Sequence, residues 1–261
     1  MTAKLQNKLF ISTRPKGQSD DLKHLLAAEG AALLEMPLIE IRYRKPDENE
    51  KRLFKNTDQF NWLIFTSPNG VKSFFSILKE LEIKTLPVGI QVAVVGKKTE
   101  KVLQTFGYKA AFVNPGNTGE ELAAALLQKL KDEKEKPKVL LVLGNLARNV
   151  IQDKLSPVAD CTRVDVYETV APEITNNEAL EIIRNNNYEM LIATSPSTIQ
   201  NFMKLNTNIP AANIRFACIG EITAREAIKQ GFPPLVVAKD ASAEGIVQSI
   251  IQSYSKNVQK L

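Results

Sequence analysis

The stretch Trp62-Leu63-Ile64-Phe65-Thr66-Ser67-Pro68-Asn69-Gly70-Val71 decides the fold. Leu63 to Phe65 are apolar without interruption, the pattern of a parallel strand covered on both faces. Ser67 stands where a helix N-cap belongs, and Pro68 where the first helical residue belongs. Proline suits that position because its φ is already helical and the N–H it lacks would be unpaired there. A buried strand therefore runs straight into a helix. The same device returns as Met190-Leu191-Ile192-Ala193-Thr194-Ser195-Pro196-Ser197-Thr198-Ile199, with Thr194 lying 128 residues after Thr66. One such junction is ordinary; two point to a duplicated architecture.

Further pairs repeat at a constant spacing. Val92-Ala93-Val94-Val95-Gly96-Lys97-Lys98-Thr99 matches Phe216-Ala217-Cys218-Ile219-Gly220-Glu221-Ile222-Thr223. Phe106-Gly107-Tyr108 matches Gln230-Gly231-Phe232, and Thr118-Gly119-Glu120 matches Ser242-Ala243-Glu244. All three pairs are 124 residues apart. Chance apolar matches would drift, whereas glycines and caps in register mark equivalent turns. The opening, Lys8 to Arg14 followed by a helical pattern over 19–29, is paralleled by Lys138 to Gly144 and the helix after Asn145. The chain is two sibling halves.

Taken in order, the pattern predicts strand 8–13 and helix 19–29, then an extended stretch from Ala31 to Tyr43 interrupted by Pro37. Next come strand 62–66, helix 68–82, strand 91–95, helix 97–106, strand 110–113, helix 119–131, strand 138–143 and helix 147–155. A β-patterned segment follows, Thr162-Arg163-Val164-Asp165-Val166-Tyr167-Glu168-Thr169-Val170. Strands 189–194, 215–219 and 235–238 then alternate with helices 177–186, 197–205, 221–230 and 243–253, and the end from Ser255 is expected to fray. This alternation predicts an α/β fold of parallel sheets with helices on both faces. For the halves to be siblings, the opening strand and helix must join the C-terminal block. The first domain is then discontinuous, 1–36 with 171–261. The second is 45–162, inserted, and 37–44 lies beside 163–170 as a two-stranded hinge.

At 261 residues, with 44% hydrophobic and 24% charged residues, the chain has the profile of a soluble globular protein. No apolar run approaches the ~20 residues that span a bilayer, and the opening lacks an apolar signal region. Cys161 and Cys218 are isolated, which fits reduced thiols and a cytoplasmic setting. The net charge of +5 is too mild for a nucleic-acid partner, though it suits a small anionic ligand.

Several chemistries are excluded. Gly96-Lys97 is no phosphate loop, because Lys98 replaces the required hydroxyl residue and Gln91 the first glycine. There is neither a G-x-G-x-x-G after a strand nor a G-x-S-x-G elbow. His24, the only histidine, falls within a helical pattern and is expected to be partly buried, which leaves no triad and no histidine metal site. Asp20 and Asp21 lie on the first helix rather than at the end of the first strand, where a receiver domain needs them.

What remains is a set of hydroxyls at strand ends: Ser67, Thr99, Thr118, Ser195, Ser197 and Thr223. Helix starts there carry unpaired N–H groups that suit carboxylates or phosphates; each hydroxyl alone reads first as a cap, and it is the set together that points to a ligand. Tyr167 reads either as a structural strand aromatic or as a phenol within reach of a ligand.

These residues resemble the uroporphyrinogen-III synthase family. The resemblance rests on Phe65-Thr66-Ser67-Pro68, Val95-Gly96 with Thr99, Gly144-Asn145-Leu146 with Arg148, Val166-Tyr167-Glu168-Thr169-Val170, Thr194-Ser195-Pro196, and Ile219-Gly220 with Thr223. It implies two flavodoxin-like domains on a two-stranded β hinge with the active cleft between them. The substrate it implies is the linear tetrapyrrole hydroxymethylbilane, closed to uroporphyrinogen III with inversion of ring D and loss of water, with no cofactor and no metal. It makes Tyr167 the candidate catalytic group, and Ser67, Thr99, Ser195, Ser197, Thr223, Arg148 and Arg14 the candidate substrate contacts. Glu221-Ile222 departs from the smaller residues expected before Thr223. A monomer receiving its substrate in a transient handover from hydroxymethylbilane synthase is implied, without nucleic acid or membrane. The rival from another class is a two-domain protein that closes on a small anion without chemistry.

Overall fold

Short apolar runs, most of them leading into a helix, build the described residues. The computed structural model describes residues 4–116, 118–131, 133–173, 176–205 and 208–258. Its first half runs β1 (Leu9–Ser12), α1 (Asp20–Ala28), β2 (Ala32–Glu35), β3 (Glu40–Tyr43), α2 (Glu48–Lys55), β4 (Trp62–Phe65), α3 (Pro68–Glu80), β5 (Gln91–Val94), α4 (Lys97–Thr105), β6 (Phe112–Val113) and α5 (Gly119–Leu130). Then follow β7 (Lys138–Gly144), α6 (Val150–Leu155), β8 (Asp160–Val170), α7 (Asn177–Arg184), β9 (Leu191–Ala193), α8 (Pro196–Met203), β10 (Phe216–Cys218), α9 (Glu221–Lys229), β11 (Val236–Val237) and α10 (Ala243–Val258).

The chain divides into two compact units, Met1–Glu40 with Val170–Leu261, and Ile41–Thr169. In the first, the strand order is β11-β10-β9-β1-β2, all neighbours parallel. In the second the order is β3-β8-β7-β4-β5-β6, parallel from β8 to β6. With β7 and β8 set against β1 and β2, the five parallel strands have the same doubly wound order in both units. They differ in where the chain enters. The first unit begins with β1, fourth in its order, whereas the second reaches the equivalent strand β7 only after β4, β5 and β6. Strand β3 adds a sixth strand beside β8.

Matching turns confirm the duplication at the level of dihedral angles. Ser67 has φ −156° and ψ 154°, and Ser195 has −157° and 156°. Gly107 and Gly231, which close α4 and α9, have φ of 85° and 87°. That left-handed region is open to glycine at no steric cost.

Each sheet is buried on both faces, with successive residues alternating between them. Leu63 and Phe65 of β4 face the cluster that holds Phe54, Phe74 and Val164. Trp62 and Ile64 face the one that holds Leu122, Leu126 and Ile151. In the first unit Phe10 and Ile192 face α1 and α10, while Ile11, Leu191 and Ala193 face α7 and α8.

Several expectations need correction. Helix α2 was invisible as a pattern, because its sequence ENEKRLFK buries only Phe54; a capping box between Asp47 and Glu50 starts it. Helix α6 begins at Val150 rather than 147, since Ala147 to Asn149 are held in a turn described below. Strands β6 and β11 shrink to two residues each. His24 is exposed rather than partly buried. The expected fraying from Ser255 does not occur as far as Val258, where α10 ends, and 259–261 lie outside the described residues.

Candidate active site

The polar groups gather at the carboxyl ends of the strands, and in the second unit they converge on one phenol. Ser67 caps α3, its Oγ accepting the N–H of Gly70 at 3.0 Å. The same Oγ lies 3.0 Å from the hydroxyl of Tyr167. Gly144 makes room for the ring. A Cβ on Gly144 would sit 2.4 Å from Tyr167 Cζ and 2.8 Å from its hydroxyl oxygen, and one on Gly70 would be 3.9 Å from Cε1. Burial pushes the phenol above its ordinary pKa, the Ser67 hydrogen bond pulls against this, and the charge of Asp165 adds to the rise. The ring therefore holds its proton.

A register shift aims Tyr167 at Ser67. Along the β7–β8 pairing Leu143 faces Asp165, but the next residue, Gly144, faces Tyr167. The extra residue on β8 breaks the alternation, as bulges near functional sites do. Val164 and Val166 face the Phe54–Phe74 cluster, and Tyr167 packs on that same side. In unbroken alternation it would share a face with Arg163 and Asp165.

The turn after β7 is tied to β8. Asn145 donates its backbone N–H to the Tyr167 carbonyl at 3.1 Å, and its Oδ1 accepts from the Thr169 N–H at 2.9 Å. Arg163 donates to the carbonyls of Ala147 (2.9 Å) and Gly144 (3.3 Å) and to Asn149 Oδ1 (2.6 Å). Its Nε pairs with Asp165 at 2.9 Å. Arg163 and Asp165 also line, with Arg44, Glu50, Asn145 and Glu168, a cavity of ≈ 390 Å³.

The other predicted residues fall as follows. Thr99 and Thr223 sit in the first turns of α4 and α9, 2% and 3% exposed, each following a glycine N-cap in extended backbone (Gly96 and Gly220) with no side-chain cap. Before Thr223, Glu221 and Ile222 are both exposed. Thr118 is a plain cap, in a reciprocal box with Glu121. Ser195 occupies the N-cap position of α8 but makes no cap bond, which corrects the capping expectation for it. Its Oγ lies 2.9 Å from that of Ser197, while Thr198 donates to the Ser195 carbonyl. Arg148 is largely exposed and pairs with Glu120 at 2.5 Å. Arg14 pairs with Asp21 at 2.7 Å and reaches the Gln18 carbonyl. The structure thus brings Tyr167 to Ser67 and Ser195 to Ser197, and gives both arginines acidic partners.

Sequence reasoning missed Gly70, the side-chain tie of Asn145, and Arg163. The available signal was Gly144-Asn145 closing an uninterrupted apolar strand. Burial pushes the thiols of Cys161 and Cys218 up to about 11 and about 12, with Asp160 adding to the rise at Cys161, so neither is a nucleophile near neutral pH. Among the described residues no cluster of three or more His, Cys, Asp or Glu is placed to hold a metal ion.

Sheets of this order that collect their polar groups at strand carboxyl ends define a doubly wound, flavodoxin-like α/β class, twice over in one chain. The family model described as uroporphyrinogen-III synthase HemD matches residues 20–248. A putative uroporphyrinogen-III synthase of Methanocaldococcus jannaschii is 32% identical over 247 residues, 92% of this chain and 96% of that protein. The uroporphyrinogen-III synthase of Synechococcus elongatus is 29% identical over 77% of this chain and 75% of its own length. In fold, the chain is similar to the crystal structure of uroporphyrinogen-III synthetase from Helicobacter pylori, with TM-score 0.62 at 20% identity, covering 94% of this chain and 99% of that one. The chain belongs to the uroporphyrinogen-III synthase family, enzymes of the cyclising lyase type in porphyrin biosynthesis.

Proposed function

We propose that this chain carries out its family's ring closure on hydroxymethylbilane mainly by imposing a conformation, with Tyr167 as the one group that assists bond breaking. The observation that carries this reading is the Tyr167–Ser67 contact of 3.0 Å, with the ring laid closely over Gly144. Ser67 Oγ accepts from the Gly70 N–H, so its own hydrogen is available to the phenol oxygen. The phenolic hydrogen is then free for an outside acceptor.

The terminal hydroxyl of the bilane is that acceptor. As its C–O bond breaks, the phenol donates its hydrogen bond and then its proton, and water leaves. The carbon left behind is an electrophilic azafulvene, which the substituted position of ring D attacks to give a spiro intermediate. Fragmentation and reclosure invert ring D, and the proton lost on rearomatisation returns to the phenolate. The carboxylate side chains of the bilane suit the helix starts after Gly96 and Gly220, which have no side-chain cap and carry Thr99 and Thr223 in their first turns, and the start of α8, where Ser195 and Ser197 stand. Arg148 and Arg14 already pair with Glu120 and Asp21, and each would offer the substrate its remaining N–H donors. The chemistry asks for no cofactor.

We assign the reaction to the cytoplasm and to a monomer that takes the bilane in a transient handover from hydroxymethylbilane synthase. No helix among the described residues is long and apolar enough to cross a membrane. The deciding experiment is incubation with freshly generated hydroxymethylbilane and separation of the product isomers. Uroporphyrinogen III is expected. Only the uninverted isomer, formed at the spontaneous rate, would leave the protein as an anion-binding module without chemistry.

A further inference from the structure

We propose that Arg163 is a positioning residue for Tyr167, holding from the opposite face of β8 the register shift that turns the phenol toward Ser67. This rests on the reading of Tyr167 as the assisting group. The guanidinium ties three points of the turn after β7 (the Gly144 and Ala147 carbonyls and Asn149 Oδ1) to its own strand. Gly144 is the residue that faces Tyr167 across the shift, and the ring packs directly on it. Asn145, next in the turn, holds the Tyr167 carbonyl and the Thr169 amide. The turn therefore grips β8 on both sides of Tyr167, and Arg163 anchors the turn.

The geometry is specific to arginine. Asp165 takes Nε at 2.9 Å and reaches Nη2 at 3.3 Å, which fixes the plane of the guanidinium. The two terminal nitrogens are then directed at the turn, where they serve three acceptors. A lysine ammonium is a point donor and cannot bridge them in one plane. Together with the Asn145 ties, these bonds oppose a slip of the Gly144 turn along β8. A slip by one residue would carry the Tyr167 side chain to the other face.

The test uses the full chain in the substitutions Arg163→Gln and Arg163→Lys, each alone and combined with Tyr167→Phe. Steady-state rates are measured alongside fluorine NMR of protein labelled with 3-fluorotyrosine. The Tyr167 signal among the five tyrosines is assigned by its loss in Tyr167→Phe. Displacement of a catalytic group by a fraction of its length should lower kcat about tenfold in Arg163→Gln, with KM changed less than about twofold. Arg163→Lys should recover part of that rate. In the Tyr167→Phe background Arg163→Gln should add less than about twofold, because two residues acting through one group are not additive. The Tyr167 fluorine signal should shift or split while the other four stay in place. An unmoved Tyr167 signal, or the same fold-loss in both backgrounds, would overturn the proposal. If Tyr167→Phe keeps the full rate, the functional reading of Tyr167 falls, and the fluorine signal alone decides whether Arg163 holds the ring. Should Arg163→Gln fail to fold, Arg163→Lys and Asp165→Asn give the same two readouts.

Discussion

Tyr167 and Ser67, one hundred residues apart in the chain, meet hydroxyl to hydroxyl at 3.0 Å. Removing the phenol oxygen leaves the cap and the fold in place. Tyr167→Phe should slow turnover by on the order of 10²-fold at most, as loss of one acid catalyst does. KM should change little, and the product should remain the inverted isomer. A full rate, or an affinity loss as large as the rate loss, would remove Tyr167 from the chemistry.

Gly144→Ala should be the more damaging substitution. Its Cβ would lie 2.4–2.8 Å from three atoms of the Tyr167 ring and hydroxyl, so the ring must move. Overpacking of this kind costs about 1–3 kcal/mol, and the activity should fall at least as far as in Tyr167→Phe. Gly70→Ala, whose nearest neighbour would be the Val142 carbonyl at 3.2 Å, should be milder. Melting curves and rates on the pair check the order.

The sibling serines should behave differently. Ser67 makes a cap bond and Ser195 does not. Ser67→Ala should cost about 1 kcal/mol of stability, and Ser195→Ala no more than about 0.5 kcal/mol. Equal losses in urea titrations would show that the two starts are capped alike in solution.

Acid should weaken the first unit through Glu189. Burial alone would raise the pKa of its carboxyl. The Tyr254 phenol, the Lys8 ammonium at 3.0 Å and the charge of Arg215 outweigh that and hold it below the ordinary value. A depressed folded-state pKa gives stability that is complete above the unfolded-state value and is lost as pH falls through the folded one. Glu189→Gln should therefore lower stability near neutrality and flatten its dependence on acid below the ordinary glutamate range. A parallel pair of stability–pH curves would refute this.

Asn114, just after β6, is 2% exposed and its Nδ2 has no partner among the described residues. An unpaired buried amide costs about 1–3 kcal/mol, so Asn114→Leu should raise the melting temperature. A lowered melting temperature in calorimetry would mean that this nitrogen is satisfied in solution.

Much of the architecture was legible because it is local. A continuous apolar run followed by Ser-Pro or Gly specifies strand then helix, and the constant spacings reported two sibling units. Helix α2 was hidden because a short charged helix with one buried side chain has no apolar period to read. Helix α6 starts later than its pattern predicts for a related reason, since Ala147 and Asn149 are held by Arg163 from another strand. Local propensity carries no record of such a tie.

The sequence by itself determined the class of fold, the doubled strand–helix units and the hydroxyls at the strand ends, since backbone propensity and alternation act over a few residues. Only the tertiary structure decided which of those hydroxyls meet. By alternation Tyr167 belongs with Arg163 and Asp165 on one face of β8, away from Ser67. One extra residue in the pairing with β7 sends it to the other face. That shift exists because Gly144 has no side chain to oppose the ring and because the turn beyond it is held from a distant strand. Both conditions depend on residues far apart in the chain, and the alternation within β8 does not report them.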